Sequence, residues 1–92
     1  MRKNIHIFYA GRVQGVGFRF TAEETAQRLG VTGWVKNLRD GRVEMVAEAE
    51  EEILAQFLDD MRTGSMRNFI HGVEVFWANA TDQFAEFDIR YF

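Results

Sequence analysis

The sequence predicts an α+β sandwich in which two helices cover one face of an antiparallel sheet. Apolar residues alternate with period two in several short segments and recur at helical spacing in two longer ones. These segments follow one another as strand, helix, strand, strand, helix and strand, with a short further strand near the C-terminus. Such an order of two βαβ-type halves, βαββαβ, is typical of the ferredoxin-like arrangement. Each helix has a single apolar stripe, so it must cover a face of the sheet.

The first strand runs from Asn4 toward Val13. Its residues alternate between two faces, one with Ile5, Ile7 and Tyr9 and the other with His6, Phe8 and Ala10. After a glycine-rich loop comes the first helix, whose apolar residues are Phe18, Ala22, Ala26 and Leu29. Gly30 is placed to end this helix in the left-handed conformation. The start of the helix has two alternatives, a capping box from Thr21 to Glu24 or an earlier start near Phe18.

The second and third strands are predicted to form a hairpin. Residues 31–38 and 42–49 are the two strands, and Asp40-Gly41 between them is a strong signal for a tight turn. The two strands should therefore pair antiparallel. Period two places Asn37 near the end of the second strand, on the face of Val31, Gly33 and Val35.

The second helix begins with Glu50-Glu51-Glu52, because acidic residues are favoured at the positive end of a helix. Gly64 ends it, and residues 65–71 are predicted to form a loop. Its buried stripe consists of Ile53, Leu54, Phe57, Leu58 and Met61. The last two strands alternate, with Val73, Val75 and Trp77 on one side of the fourth and Phe87, Ile89 and Tyr91 on one side of the last.

The composition limits the possible classes of function. The chain has 92 residues, 47% of them hydrophobic and 14% aromatic, which is enough for one domain over residues 1–92. Without cysteine, it has no disulfide, thiol nucleophile or thiolate metal site. The formal charge of -3 argues against nonspecific binding of nucleic acid. Since no apolar run approaches roughly 20 residues and no signal-peptide pattern opens the chain, we expect a cytoplasmic protein without a membrane partner.

Residues 11–19 read Gly-Arg-Val-Gln-Gly-Val-Gly-Phe-Arg, with three glycines in seven positions. Glycine tolerates positive φ, and a short run of such residues can turn successive backbone N–H groups toward one point, which suits an anion. Arg19 would close this concavity with a planar fork that matches phosphate oxygens two at a time. The alternative is that the glycines only mark a turn and that Arg19 is solvated.

Two motifs resemble those of the acylphosphatase family. The first is the stretch at 11–19, and the second is Gly33-Trp34-Val35-Lys36-Asn37-Leu38 followed by Asp40-Gly41-Arg42-Val43-Glu44. Both stand in the order and at the separation seen in that family, and the likeness extends to Phe87-Asp88-Ile89-Arg90-Tyr91. The resemblance favours a phosphate site over a simple turn. It also implies that the first helix is already under way near Phe18, with Gly17 near its cap.

The resemblance further implies which residues act. The catalytic residues would be Arg19, which stabilises the charge of the transition state, and Asn37, whose amide orients the attacking water. Without the resemblance, Asn37 is interpreted more simply as serving the hairpin turn. In the family the C-terminal carboxylate can lie near the arginine after a final Arg-Tyr, whereas here Phe92 follows Arg90-Tyr91. The implied ligands of the substrate phosphate are the backbone N–H groups of Gln14, Gly15, Val16, Gly17, Phe18 and Arg19.

The implied activity is hydrolysis of an acyl phosphate to a carboxylate and inorganic phosphate, with no metal and no cofactor. Phosphate would be both product and inhibitor, and we expect a monomer that does not bind nucleic acid. His6 and His71 have no companion at ligand spacing, so no metal site is predicted. Two alternatives stay open. One is a phosphate- or carbamoyl-phosphate-binding module like the domain within hydrogenase-maturation carbamoyltransferases, and the other is a ferredoxin-like domain that binds RNA or another partner without chemistry.

Overall fold

The computed structural model describes residues 1–91 of the 92-residue chain. Both helices in these residues are too short to cross a membrane. The predicted order of elements is confirmed. The elements are β1 (Arg2–Gly11), α1 (Phe18–Leu29), β2 (Thr32–Asn37), β3 (Val43–Glu50), α2 (Glu51–Thr63), β4 (Ile70–Asn79) and β5 (Phe87–Arg90).

The five strands form one sheet in the order β4-β1-β3-β2-β5. The first four pair antiparallel, as predicted, and β5 pairs parallel with β2. The sheet as a whole is therefore mixed. This parallel pairing follows from the connection: residues 80–86 cross from one edge of the sheet to the other at the end where β4 finishes. The chain must then run back opposite to β4, which is the direction of β2.

A hydrophobic core lies between the sheet and the two helices, which pack on the sheet and on each other. The predicted alternation of β1 is confirmed, because Ile5, Ile7 and Tyr9 are buried and His6 and Phe8 are only partly covered. Burial of one such apolar side chain contributes about 1.5–3 kcal/mol. The helices complete the core with Phe18, Ala22 and Ala26 from α1 and Leu54, Phe57 and Met61 from α2.

The observed N-terminus of α1 decides between the two predicted starts of this helix. Gly17 is the N-cap in the left-handed conformation and Phe18 is the first helical residue, so the early start is confirmed and the capping box at Thr21 is wrong. Thr21 lies inside the helix, where its amide donates to the Gly17 carbonyl oxygen at 3.0 Å. Gly30 ends the helix with φ 74°, as predicted.

The fourth strand is longer than predicted. β4 begins at Ile70, so the loop after α2 covers residues 65–69 instead of 65–71. The reason is its partner: β1 continues to Gly11, which pairs with Ile70 beyond a bulge. The Arg12 amide then donates to the Phe69 carbonyl oxygen at 2.9 Å. The pairing thus extends to the residue that opens the glycine-rich loop.

Candidate active site

Three strands finish at one end of the sheet, which we call the upper end. β1, β2 and β5 run in the same direction, because β1 and β2 are both antiparallel to β3 and β5 is parallel to β2. They end at Gly11, Asn37 and Arg90. The glycine-rich loop, Asn37 and Tyr91 therefore lie at the same end of the molecule although they are far apart in sequence.

Residues 12–17 form the loop between β1 and α1, and core residues hold it at both ends. Val13 and Phe18 are each 1% exposed, whereas Gly15 and Gly17 are at the surface. Phe18 packs on the buried ring of Tyr9, with 4.8 Å between the ring centroids. Burial raises the pKa of the Tyr9 hydroxyl, which therefore stays neutral in the core. The loop is held by burial on either side of its exposed glycines.

A series of backbone N–H groups in this loop has no hydrogen-bond partner in the described part of the chain. Within residues 1–91, the amides from Gln14 to Phe20 have no hydrogen-bond acceptor, and Thr21 is the first of α1 to have one. Gly15 and Gly17 have φ values of 77° and 85°. Positive φ at such positions turns successive amides toward one concavity, and the positive end of α1 adds to its potential. A cleft of about 240 Å³ beside the loop is lined by Gly15, Gly17, Phe18, Arg19 and Phe20.

Arg19 lies in the first turn of α1 and is half-buried. Its guanidinium carbon lies 5.0 Å from the centroid of the Tyr91 ring. Among the described residues, no carboxylate comes within salt-bridge distance of Arg19. Within residues 1–91, no neighbouring acid therefore neutralises the positive charge of Arg19, and one face of its fork is covered by the Tyr91 ring.

Asn37 is the last residue of β2 and shares the helix-covered face with buried Val35. The carbonyl oxygen of its amide is buried and accepts no hydrogen bond from the described part of the chain. A buried acceptor without a partner is unfavourable, typically by about 1–3 kcal/mol. Asn37 also lines a second cleft of about 410 Å³ together with Lys36, Leu38, Arg39 and Tyr91.

The side chain of Gln14 makes contacts that the sequence did not predict. Its Nε2 donates to the carbonyl oxygens of Leu38 at 2.6 Å and Arg42 at 2.9 Å. Only the backbone N–H of Gln14 was assigned a role from the sequence. The signal was weak, because the two acceptors lie 24 and 28 residues away and belong to the main chain.

Tyr91 was predicted only as the last alternating residue of the final strand. It lies just beyond β5, is 69% exposed, and touches Arg19 while lining the cleft that contains Asn37. Phe92, whose carboxylate the family resemblance concerned, lies outside the described residues. The predicted loop, Arg19 and Asn37 are therefore found at one end of the sheet, and Gln14 and Tyr91 link them.

Fold and site together define a class of protein: a ferredoxin-like α+β domain with a loop beside an arginine, in which the amides have no acceptor among the described residues. The acylphosphatase family model matches residues 5–89. The chain is 44% identical over 87 residues to the acylphosphatase of Methylococcus capsulatus, covering 95% of each chain. It is also 44% identical over 86 residues to that of Bacillus velezensis, covering 94% of this chain and 96% of the other.

The fold gives the same result. The crystal structure of acylphosphatase from Bacillus subtilis matches with a TM-score of 0.90 and 36% sequence identity. The match covers 97% of this chain and 99% of that one. The chain therefore belongs to the acylphosphatase family, and the family prediction made from its two motifs is confirmed.

Proposed function

We propose that this protein hydrolyses acyl phosphates to a carboxylate and inorganic phosphate, with residues 14–19 and Asn37 as its active site. Membership of the acylphosphatase family supports a hydrolase acting on acid anhydrides. The observation that carries the site is the run of amides from Gln14 to Phe20 without acceptors, beside an arginine without a carboxylate partner in residues 1–91. This arrangement supports binding of a small, highly charged anion.

The phosphoryl group would sit in the cleft formed by the loop. Backbone N–H groups at a helix N-terminus bind phosphate oxygens well, because they point at the ligand and the helix dipole favours negative charge. Arg19 adds a planar fork that can bind two oxygens at once. Its contact with Tyr91 leaves the edge of the fork, which carries the N–H groups, available to the phosphate.

Asn37 would hold the attacking water. An amide both donates and accepts hydrogen bonds, and the Asn37 carbonyl oxygen has an acceptor site that the described residues leave unused. A water bound there would provide the missing partner. Holding that water in line with the bond that breaks reduces the entropic cost of the encounter.

The chemistry needs little beyond this. The water oxygen forms a bond to phosphorus while the bond from phosphorus to the acyl oxygen breaks, and the electron pair leaves with the carboxylate. The carboxylate is stable without a proton, so no general acid is needed, and an oxygen of the phosphoryl group takes the proton from water. Such transfers pass through a loose transition state, and catalysis is mainly positioning and electrostatic stabilisation. The backbone amides and Arg19 provide that stabilisation.

Several further features belong to the same proposal. We expect turnover in the presence of a chelator, because the proposed site draws its positive charge from Arg19 and the loop amides. Inorganic phosphate should compete with the substrate for the same amides. The protein should act as a monomer in the cytoplasm. Its formal charge of -3 disfavours association with nucleic acid.

The test is phosphate release from benzoyl phosphate with chelator present, comparing wild type with Arg19→Ala. Loss of a transition-state stabiliser of this kind typically lowers turnover by about 10²–10³-fold. Arg62→Ala is the matched control, since Arg62 is exposed on α2 and pairs with Asp59 at 2.8 Å. Full activity of Arg19→Ala would exclude this site. Binding of phosphate by a wild type that turns over no acyl phosphate would favour the carbamoyl-phosphate-binding module instead.

A further inference from the structure

The Gln14 side chain spans from the loop to the β2–β3 hairpin. Both hydrogens of its Nε2 are used, one on the Leu38 carbonyl oxygen at 2.6 Å and one on the Arg42 carbonyl oxygen at 2.9 Å. These two carbonyl groups lie at the two ends of the hairpin turn and also accept the hydrogen bonds that close it. The Leu38 amide donates to the Arg42 oxygen at 2.8 Å, and the Gly41 amide donates to the Leu38 oxygen at 3.3 Å. The Gln14 side chain is thus hydrogen-bonded to both ends of the turn, which begins one residue beyond Asn37.

Within residues 1–91, these are the hydrogen bonds that join loop residues 12–17 to residues 37–42. The same residue contributes its backbone N–H to the loop and its side chain to the hairpin. A change at its side chain would therefore alter the separation between the loop and Asn37. The hairpin has its own closing bonds from Leu38 and Gly41, so it does not need Gln14 in order to form.

We propose that Gln14 is a positioning residue that fixes the distance from the phosphate loop to the Asn37 amide. The inference rests on the proposed function, because it concerns the alignment of the water held by Asn37 with the phosphoryl group held by the loop. A misplacement of about 1 Å between reacting groups can lower the rate by about 10²-fold. The phosphate itself is bound by the loop and Arg19, which do not depend on the hairpin.

This role predicts a division between two kinetic quantities. Gln14→Met keeps nearly the same length but has no N–H donor. We expect its kcat with benzoyl phosphate to fall by about 10–10²-fold, whereas the inhibition constant for inorganic phosphate stays within about twofold of wild type. Both quantities are normalised to the folded fraction. The matched control is Gln27→Met on the exposed face of α1, which should leave both unchanged.

Gln14→Glu adds a readout that a merely structural role would not move. An ionised carboxylate faces two carbonyl oxygens and repels them, whereas the protonated acid donates one hydrogen bond. The kcat of this variant relative to wild type should therefore rise as the pH is lowered from 7 toward 5. The same ratio for Gln14→Met should be flat over that range. A flat ratio for both variants would contradict the proposal.

A measurement without substrate separates this inference from the proposed function. In ¹⁵N-correlated spectra of the free protein, the Asn37 side-chain resonances should shift in Gln14→Met and stay in place in Gln27→Met. Unchanged Asn37 resonances in Gln14→Met, or a kcat within about twofold of wild type, would overturn the positioning role. A loss of kcat matched by an equal weakening of phosphate inhibition would also overturn it, in favour of phosphate binding by Gln14. A wild type without hydrolase activity would contradict the proposed function while the spectra still decide the role of Gln14.

Discussion

Two segments at opposite ends of the sheet contain backbone amides outside the regular hydrogen-bonding pattern, and they differ in whether the described part of the chain supplies an anion as their acceptor. At the lower end, where β1, β2 and β5 begin, the amides of Thr81 and Asp82 each donate to the Glu48 carboxylate at 2.8 Å. At the upper end, the amides from Gln14 to Phe20 find no acceptor among residues 1–91. At the lower end the chain supplies the anion and these amides stabilise the fold, whereas at the upper end residues 1–91 supply none, which supports the binding site proposed above.

At the lower site, both oxygens of the buried Glu48 carboxylate accept hydrogen bonds from the chain. Glu48 is 0% exposed and also accepts hydrogen bonds from Asn4 at 2.7 Å and from the Thr81 hydroxyl at 2.8 Å. Burial, the largest single influence, raises the pKa of Glu48, but the hydrogen bonds from Asn4, Thr81 and Asp82 together outweigh it and lower that pKa. Asp82 even takes a positive φ of 56° here, as Gly15 and Gly17 do above.

Beyond the Arg19→Ala variant proposed above, the largest effect that separates the two ends is expected for Asn37→Ala. Turnover should fall by about 10²-fold, because the water is no longer aligned. Phosphate inhibition should hardly change. Thermal stability should not fall, since the Asn37 carbonyl oxygen is buried without a partner in residues 1–91. Steady-state kinetics with a melting curve would check this, and phosphate inhibition that weakened in step with turnover would instead make Asn37 a phosphate ligand.

Glu48→Gln should have the opposite profile. It removes a buried charge that accepts several hydrogen bonds, so the free energy of unfolding should fall by about 2 kcal/mol. Turnover per folded molecule should stay at the wild-type value, because Glu48 lies at the other end of the sheet from the loop. Urea unfolding at pH 7 measures the loss. Glu74→Gln, an exposed change on β4, is the control and should be neutral.

The stability difference between wild type and Glu48→Gln should depend on pH. The pKa of Glu48 is lower in the folded than in the unfolded chain, so its contribution is fully present above the unfolded value and is lost as the pH falls through the folded one. The difference between the two urea midpoints should therefore shrink on acidification. A difference that stayed constant down to the acid limit would show that Glu48 stabilises the fold in some way other than as an anion.

Gly17→Ala tests the backbone of the open end with a smaller effect. A Cβ there meets nothing within 4 Å, so the cost comes from the left-handed conformation alone, about 1–2 kcal/mol. If the residue relaxes to negative φ, the amides diverge and phosphate inhibition weakens. Gly30→Ala is the matched control, because Gly30 has φ 74° and equally open surroundings at the far end of α1. It should lose similar stability and leave inhibition unchanged.

The smallest effect is expected for Tyr91→Leu. An exposed contact between a guanidinium and an aromatic ring contributes about 0.5–1 kcal/mol, so phosphate inhibition should weaken about two- to fivefold. Tyr91→Phe keeps the ring and should behave like wild type. Equal inhibition in all three proteins would show that the ring does not restrain Arg19.

The sequence predicted the parts of this comparison that depend on local pattern. Alternation in β1, the stripe of α2 and the early start of α1 after Gly17 were all predictable, because each follows from the period of apolar residues or from a recognisable motif. The capping box at Thr21 failed because the loop already holds Gly17 in the cap conformation and Phe18 in the core. A local signal was overridden by a burial contact.

The remaining features depend on contacts between distant residues. The parallel direction of β5 comes from the crossing segment 80–86, and the early start of β4 comes from its pairing with Gly11. Neither of these two features produces a periodic pattern in the sequence. The two bonds of Gln14 end on carbonyl oxygens, which every residue has, so the acceptors could not be identified from side-chain type. The contact of Tyr91 with Arg19 likewise joins residues at opposite ends of the chain.

The loop amides that have no acceptor within residues 1–91 should also be recognisable by their rate of hydrogen exchange. Protection from hydrogen exchange requires a hydrogen bond that must break before solvent deuterium enters, and the N–H groups from Gln14 to Phe20 have none within residues 1–91. Their neighbours Val13 and Phe18 are nevertheless anchored in the core. In the free protein this short stretch should exchange quickly inside an otherwise slow framework. Slower exchange of those few amides in the presence of inorganic phosphate would then measure the fraction of molecules that bind it, without any turnover.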